Sequence, residues 1–166
     1  MEERLMPVPS GKMADAFASA PRRMTAADVS AAHSILVESP EAAAWSRASL
    51  SESVANDFAW VMDVHGAVSG ILIGRVAADE FEILNLAVGN GCRRRGVATK
   101  LVRTALEHAR TAGARRAYLE VRASNEGGIA LYMRLGFCKE GRRPHYYREP
   151  AEDAILLVLH NFGTSA

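Results

Sequence analysis

The residues best suited to chemistry in this chain form the run Arg93-Arg94-Arg95-Gly96-Val97-Ala98-Thr99. An apolar stretch leads into it and a long amphipathic stretch leads out of it. A strand that feeds a glycine-containing turn and then a helix start makes an anion site. The first-turn N–H groups of a helix have no partner inside the helix, and the helix dipole adds to their pull on negative charge. Gly96 lets the backbone come close to a pyrophosphate, and Ala98 is small enough not to block it. Arg93, Arg94 and Arg95 add positive charge, and a guanidinium can meet a phosphate with two parallel hydrogen bonds. The pattern is R-x-x-G-x-A, not the P-loop pattern, because no Lys-Ser or Lys-Thr follows the glycine. Taken alone it also fits a solvated basic turn that caps a helix. An RNA-binding patch fits less well, because no aromatic residues interleave with the arginines.

Such a loop needs a strand before it and a helix after it. Residues 81–88 supply the strand, and residues 96–112 supply the helix, with Val97, Leu101, Ala105, Leu106 and Ala109 at helical spacing and Gly113 as its stop. Upstream, Thr25 to Asp28 starts a helix whose stripe is Val29, His33, Leu36 and Val37, and Pro40 ends it. Ser46 caps a second short helix carrying Leu50, Val54 and Phe58. Residues 59–63 and 67–76 read as strands joined by a turn at His65-Gly66. Downstream come a strand at 117–122, a helix at 125–135 closed by Gly136, and strands at 137–141 and 154–160. This order predicts an α/β fold with a mixed sheet and helices on both faces. Residues 1–20, with Pro7, Pro9 and Gly11, read as a flexible leader, and 21–166 as a single domain ordered from near Arg22.

Composition narrows the function classes. The chain has 166 residues, 49% apolar and 23% charged, an ordinary balance for one domain with a sizeable core. Its 20 Lys and Arg against 19 Asp and Glu leave a net charge of +1, which gives no bulk reason to expect nucleic acid or a membrane as partner. Cys92 and Cys138 are the only cysteines and form no CxxC pair, so neither a zinc site nor a disulfide framework is expected. No apolar run reaches the roughly 18 residues that span a bilayer. The start has no apolar core of a signal peptide. A cytoplasmic setting is the resulting expectation.

The loop does not stand alone. Leu119-Glu120-Val121-Arg122-Ala123-Ser124-Asn125, then Ala130-Leu131-Tyr132 and Gly136-Phe137, follow it in order. Together these segments resemble the GNAT family of N-acetyltransferases, whose coenzyme loop has the form Q/R-x-x-G-x-G/A; that form falls here on Arg93, Gly96 and Ala98. A narrower resemblance links these segments, with Trp45-Ser46, Arg143, Tyr146-Tyr147 and Glu152-Asp153-Ala154, to the ribosomal-protein-alanine N-acetyltransferases.

The resemblance implies the GNAT fold, a mostly antiparallel sheet splayed between its fourth and fifth strands, with acetyl-CoA as acetyl donor and no metal. Leu86, Ala87 and Val88 would pair with the pantetheine arm, and the N–H of Val88 would polarise the thioester carbonyl. The N–H groups of residues 94–99 would hold the pyrophosphate, and Asn125 would bond the coenzyme's arm. Glu120 matches the general base and Tyr132 the acid that protonates the departing thiolate. Read without the family, Glu120 is a strand-end carboxylate paired with Arg122 or Arg116, and Tyr132 a buried aromatic. Tyr146 and Tyr147, placed in a loop with His145, and Trp45 are candidates for the acceptor groove, with packing as their alternative. The implied acceptor is a protein N-terminus, that of a ribosomal protein beginning with alanine, and the expected state is a monomer or weak dimer. A small-molecule amine acetyltransferase and a silent acetyl-CoA-binding module are the rival readings. Two features depart from the pattern. Gly127-Gly128 opens the helix after Asn125, where glycine costs about 1 kcal/mol against alanine and predicts a loose first turn. Gly89-Asn90 stands where the family often has Asp-Pro.

Overall fold

The computed structural model describes residues 18–55 and 58–162. Its centre is a seven-stranded sheet. Strand β1 is Arg22–Arg23, β2 Ala59–Val64, β3 Ala67–Ala77, β4 Glu80–Val88, β5 Arg116–Arg122, β6 Cys138–Arg148 and β7 Ala151–Leu159, in the spatial order β1-β2-β3-β4-β5-β7-β6. All neighbours are antiparallel except β4 and β5. Helices α1 (Val29–Val37) and α2 (Arg47–Ala55) lie between β1 and β2 in the chain. Helix α3 (Val97–Thr111) connects β4 to β5, and α4 (Glu126–Arg134) connects β5 to β6.

Alternation along the strands builds two cores, one on each face. Trp60, Met62 and Val64 of β2 join Leu72, Phe81, Ala117 and Leu119 under Val97, Leu101, Val102, Ala105 and Ala109 of α3 and Ile129 of α4. Ala59 and Val61 point the other way and join Ile71, Ile73 and Ala87 under Ala32, Ile35 and Leu36 of α1 and Leu50 of α2. β3 is covered on both faces and is buried from Ser69 to Gly74. The two-residue turn after β2 uses His65 at φ 53° and Gly66 at φ 78°, the geometry that tight hairpins need.

One irregularity shapes the site. Ile73 opposes Asn85 and Gly74 opposes Ile83, so Leu84 is an extra residue in β4. The bulge inverts the strand's alternation. Phe81 and Ile83 face the α3 side, Leu84 and Ala87 face the α1 side, and Leu86 and Val88 face α3 again. β4 pairs with β5 only at Glu80, Phe81 and Glu82; beyond them the two strands part, as the expected splay requires.

Several expectations need adjusting. Residues 1–17 of the expected leader lie outside the described residues. Ala18 already bridges Val64, and the Ser19 N–H donates to the Asp63 carbonyl at 3.0 Å, so the ordered edge begins before Arg22. Ser46 does cap α2, accepting the Ser49 N–H at 3.1 Å, but that helix ends at Ala55. Phe58 lies beyond it and tilts against Phe81, ring centres 5.6 Å apart. The last hairpin is longer than expected: His145, Tyr146 and Tyr147 belong to β6, not to a loop. Pro144, which cannot donate to a ladder, is absorbed by a register shift between Arg143 and Tyr147, with His145 at φ 53°. No helix among the described residues is long and apolar enough to cross a membrane.

Candidate active site

Where β4 and β5 part, a cavity of about 570 Å³ opens. Its floor is Leu86, Ala87 and Val88 of β4 with Leu119, Glu120 and Val121 of β5. Gly96, Val97, Ala98 and Thr99 form one wall at the start of α3, and Asn125, Leu131 and Tyr132 form another. Glu41, Ala42 and Ala43, between α1 and α2, close a third side, and Tyr147 reaches in from β6. Among the described residues no strand lies beside β4 beyond Glu82 on the β5 side, so that edge offers backbone donors and acceptors to an extended ligand.

The basic loop folds as its residues dictate. Asn90–Cys92 is a 3-10 turn, Arg94 takes φ 62°, and Gly96 takes φ 80° as N-cap of α3. As a glycine, that N-cap offers no side-chain acceptor. Gly96 to Thr99 line the cavity, the placement that an anion site at a helix start requires. The three arginines part company. Arg93 and Arg94 line the cavity, and Arg95 is exposed outside it. The Arg93 guanidinium turns to the α1–α2 side: Nε donates to the Val88 carbonyl at 3.1 Å, and Nη2 lies 2.7 Å from Glu41 Oε1 and donates to Ser39 Oγ at 3.3 Å.

Asn125 caps α4, its Oδ1 accepting the Gly128 N–H at 2.9 Å. A Cβ on Gly128 would stand 2.7 Å from the Asn125 carboxamide. Gly128 thus makes room for the cap, and the cap offsets the looseness that Gly127-Gly128 predicts.

Glu120 points to the other face of the sheet from Leu119 and Val121. Its side chain is 10% exposed, and Oε1 lies 3.2 Å from Nη2 of Arg143 on β6. Neither partner expected from the sequence holds it. Arg116 pairs with Glu80, and Arg122 pairs with Glu152 at 3.3 Å and donates to the carbonyls of Glu149 and Pro150 at 3.0 Å each. Arg122 also stacks 4.1 Å over the Tyr147 ring, whose hydroxyl donates to the Glu120 carbonyl at 3.3 Å. Burial pushes the Tyr147 phenol up to about 12. Tyr146 packs edge-on against Tyr147 at 5.1 Å and stays half exposed.

Tyr132 lies across the cavity on α4, edge-on to Phe137 at 5.3 Å. It is buried, and desolvation raises its phenol far above the ordinary value, so the proton stays on at neutral pH. Trp45 is not brought to this cavity. It walls a neighbouring one of about 380 Å³ with Ser49, Glu52 and Ile73; Leu84 lines both. His108 packs on Trp60 with ring centres 4.3 Å apart. Cys92 lines the main cavity, partly buried.

The sequence reading missed the wall at Glu41, Ala42 and Ala43, and Asn85, which is buried and donates to the Ala43 carbonyl at 2.9 Å. A polar residue inside an apolar strand was the one visible signal for Asn85. Nothing local marked residues 41–43.

The sequence model of the acetyltransferase (GNAT) family matches residues 27–137. A ribosomal protein bS18-alanine N-acetyltransferase of Salmonella typhimurium is 37% identical over 94 residues, 55% of this chain and 64% of that protein. An N-alpha-acetyltransferase RimI of Mycobacterium tuberculosis is 37% identical over 85 residues, 51% of this chain and 52% of that protein. The matches thus span less than two thirds of these relatives' own length. The crystal structure of the ribosomal-protein-S18-alanine N-acetyltransferase from Escherichia coli superposes with a TM-score of 0.76 at 26% identity, covering 90% of this chain and 96% of that one.

Proposed function

The chain belongs to the acetyltransferase (GNAT) family, and from that membership we propose that it moves the acetyl group of acetyl-CoA onto the N-terminal α-amino group of a protein, that of a ribosomal protein beginning with alanine. The observation that carries this reading is the pairing of Glu120 and Tyr132 on two sides of one cavity, whose other surfaces are the free edge of β4 and the uncapped start of α3.

The residues divide the work. Backbone groups of Leu86, Ala87 and Val88 align the coenzyme's arm along β4, and the Val88 N–H polarises the carbonyl that is attacked. The N–H groups of residues 94–99 hold the pyrophosphate, with Asn125 beside the arm. An α-amino group has an ordinary pKa near ~8, so part of it is protonated at neutral pH. Glu120 takes a proton from the amine, through water, as nitrogen attacks the carbonyl carbon. The C–S bond breaks, and the sulfur receives the Tyr132 proton. Burial keeps that phenol protonated until it is needed. Tyr146 and Tyr147 flank the acceptor's entry, and Arg143 fixes the Glu120 carboxylate. The names of the relatives support the choice of an α-amino acceptor and of a ribosomal protein.

The test is to offer acetyl-CoA with Ala-starting peptides and, separately, with a panel of small amines. Transfer to the peptide α-amine is the expected result. Transfer to small amines alone would sink the peptide assignment, and binding of the coenzyme with no turnover on any acceptor would sink the enzyme assignment.

A further inference from the structure

Arg93, the basic residue that opens the coenzyme loop, lines the cavity with its guanidinium already engaged by protein groups. Arg93 spends Nε on the Val88 carbonyl at 3.1 Å and Nη2 on Glu41 at 2.7 Å and Ser39 at 3.3 Å. Its charge is balanced by Glu41, which itself lines the cavity. Left unpaired, Glu41 would put a negative charge on the wall of a site built for phosphates.

The segment that Arg93 holds is the third wall of the cavity. Ser39 is 2% exposed and anchored, its Oγ donating to the Ile35 carbonyl at 2.8 Å. The Ala42 N–H donates to the Ser39 carbonyl at 3.0 Å, and Ala43 accepts from Asn85 on the β4 bulge at 2.9 Å. Residues 39–43 have no strand or helix of their own. They are held by Arg93 at one end and Asn85 at the other, and both of these belong to the β4 strand and loop that carry the coenzyme side of the site.

We propose that Arg93 is a positioning residue that fastens the wall at Glu41, Ala42 and Ala43 to the coenzyme loop, so that occupancy of the loop and order in the acceptor-side wall are coupled through it. Occupants that fix Val88 and the start of α3 fix the Arg93 side chain, and with it the wall. Removing the guanidinium releases the wall without removing the backbone N–H groups of residues 94–99. Because coupling is reciprocal, acceptor binding also steadies the loop.

The kinetic arm of the test rests on the acetyl-transfer reading; the exchange arm does not. Hydrogen exchange on the full chain is followed with and without acetyl-CoA, in the wild type and in Arg93→Ala, Arg93→Lys and Glu41→Gln. In the wild type, the coenzyme slows exchange across residues 39–43. In Arg93→Ala the same amides exchange about tenfold faster or more, the loss expected for a hydrogen bond to a charged group, and the coenzyme no longer slows them. The acetyl-CoA Kd by calorimetry stays within about threefold when Arg93→Ala is combined with Glu41→Gln, which removes the charge that Arg93→Ala alone leaves unpaired on the wall. With whichever acceptor the wild type uses, KM rises about tenfold or more for Arg93→Ala and Glu41→Gln, and the double variant is no worse than either single one. Arg93→Lys, which keeps the charge but cannot span three acceptors, falls between. Wild-type exchange at residues 39–43 that ignores both the coenzyme and the Arg93→Ala change would overturn the proposal. So would an acetyl-CoA Kd weakened tenfold in the Arg93→Ala, Glu41→Gln double variant with the acceptor KM unchanged, which would make Arg93 a phosphate ligand. If no acceptor is turned over, the acetyl-transfer reading fails and the exchange arm still decides this one.

Discussion

Arg143 Nη2 stands 3.2 Å from Glu120 Oε1, so the edge strand β6 reaches past β7 to the carboxylate on the cavity floor. The arginine side chain is 55% exposed, and the pair therefore adds little to stability. What it fixes is direction. Glu120→Gln keeps the shape and removes the proposed base, and the expected loss is about 10²–10⁴-fold in kcat/KM with acetyl-CoA affinity unchanged. Arg143→Ala leaves the Glu120 carboxylate but frees it to swing, and a loss of about tenfold is expected. Steady-state kinetics of the two variants beside calorimetry of coenzyme binding checks the ranking. Near-normal turnover in Glu120→Gln would remove it from the mechanism.

Tyr132 makes a separable prediction through pH. Burial raises its phenol, so the hydroxyl stays protonated throughout the range in which the enzyme is assayed. A raised folded-state value means the acid form is present below that value and lost only above it. The kcat/KM profile should therefore climb as the acceptor amine deprotonates near pH ~8 and stay level to pH ~10. Tyr132→Phe should lower kcat by about 10²-fold across the whole profile. A descending limb below pH 9 that vanishes in the phenylalanine variant would show the phenol titrating where burial forbids it.

The contrast between Gly96 and Arg93 shows what the sequence can disclose. Gly96 acts locally: the turn it makes and the α3 stripe beginning at Val97 follow from neighbours in the chain and were legible, whereas its φ of 80° was not. The chain order of the strands from β2 onward was legible in the local pattern, and the splay through the resemblance of the Arg93 and Glu120 segments to a known family; the place of β7 between β5 and β6 was not. Arg93's partners Ser39 and Glu41 were not, because they lie more than fifty residues away across a fold that the local pattern does not encode. The same holds for Glu120, whose neighbours Arg116 and Arg122 in sequence are claimed by Glu80 and Glu152. Pro144 misled in the opposite direction. It punctuates a local pattern, yet pairing with β7 carries the strand past it at the cost of a bulge.

Arg22 supplies a prediction away from the site. It bridges Asp28 at 2.9 Å and Asp63 at 2.8 Å, tying β1 to the turn before α1 and to the end of β2. The hydrogen bonds from Arg22 hold the Asp28 carboxyl at about 2, against 3.8 ordinarily. A depressed folded value means the contribution is full above pH 3.8 and is lost as pH falls toward 2. Arg22 is 41% exposed, so screening trims the contribution to about 1–2 kcal/mol. Asp28→Asn should lower stability by that amount in urea melts at pH 7, and the difference from wild type should close as the pH approaches 2. A difference that persists at pH 2 would assign the loss to packing.

Two glycines close to the site should fail in different ways. Gly74 sits at the bulge, where a Cβ would overlap the Phe81 ring and lie 2.8 Å from the Glu82 carbonyl. A ring in a filled core and a backbone oxygen cannot both move aside, so Gly74→Ala should cost about 1–3 kcal/mol. Because the bulge sets which side chains of β4 face the cavity, acetyl-CoA affinity should fall with it. Gly96 has open space around its Cβ position and suffers only from its left-handed φ of 80°. Gly96→Ala should lose about 1 kcal/mol of stability. Relieving that strain means rotating the start of α3, which belongs to the pyrophosphate site proposed for residues 94–99, so acetyl-CoA binding should weaken by about tenfold or more. Thermal melts paired with calorimetry separate the two: Gly74→Ala should show the larger stability loss, and Gly96→Ala the larger loss of binding per unit of stability. The reverse ranking would mean that the bulge is dispensable to the fold and that α3 can bind the coenzyme from another backbone angle.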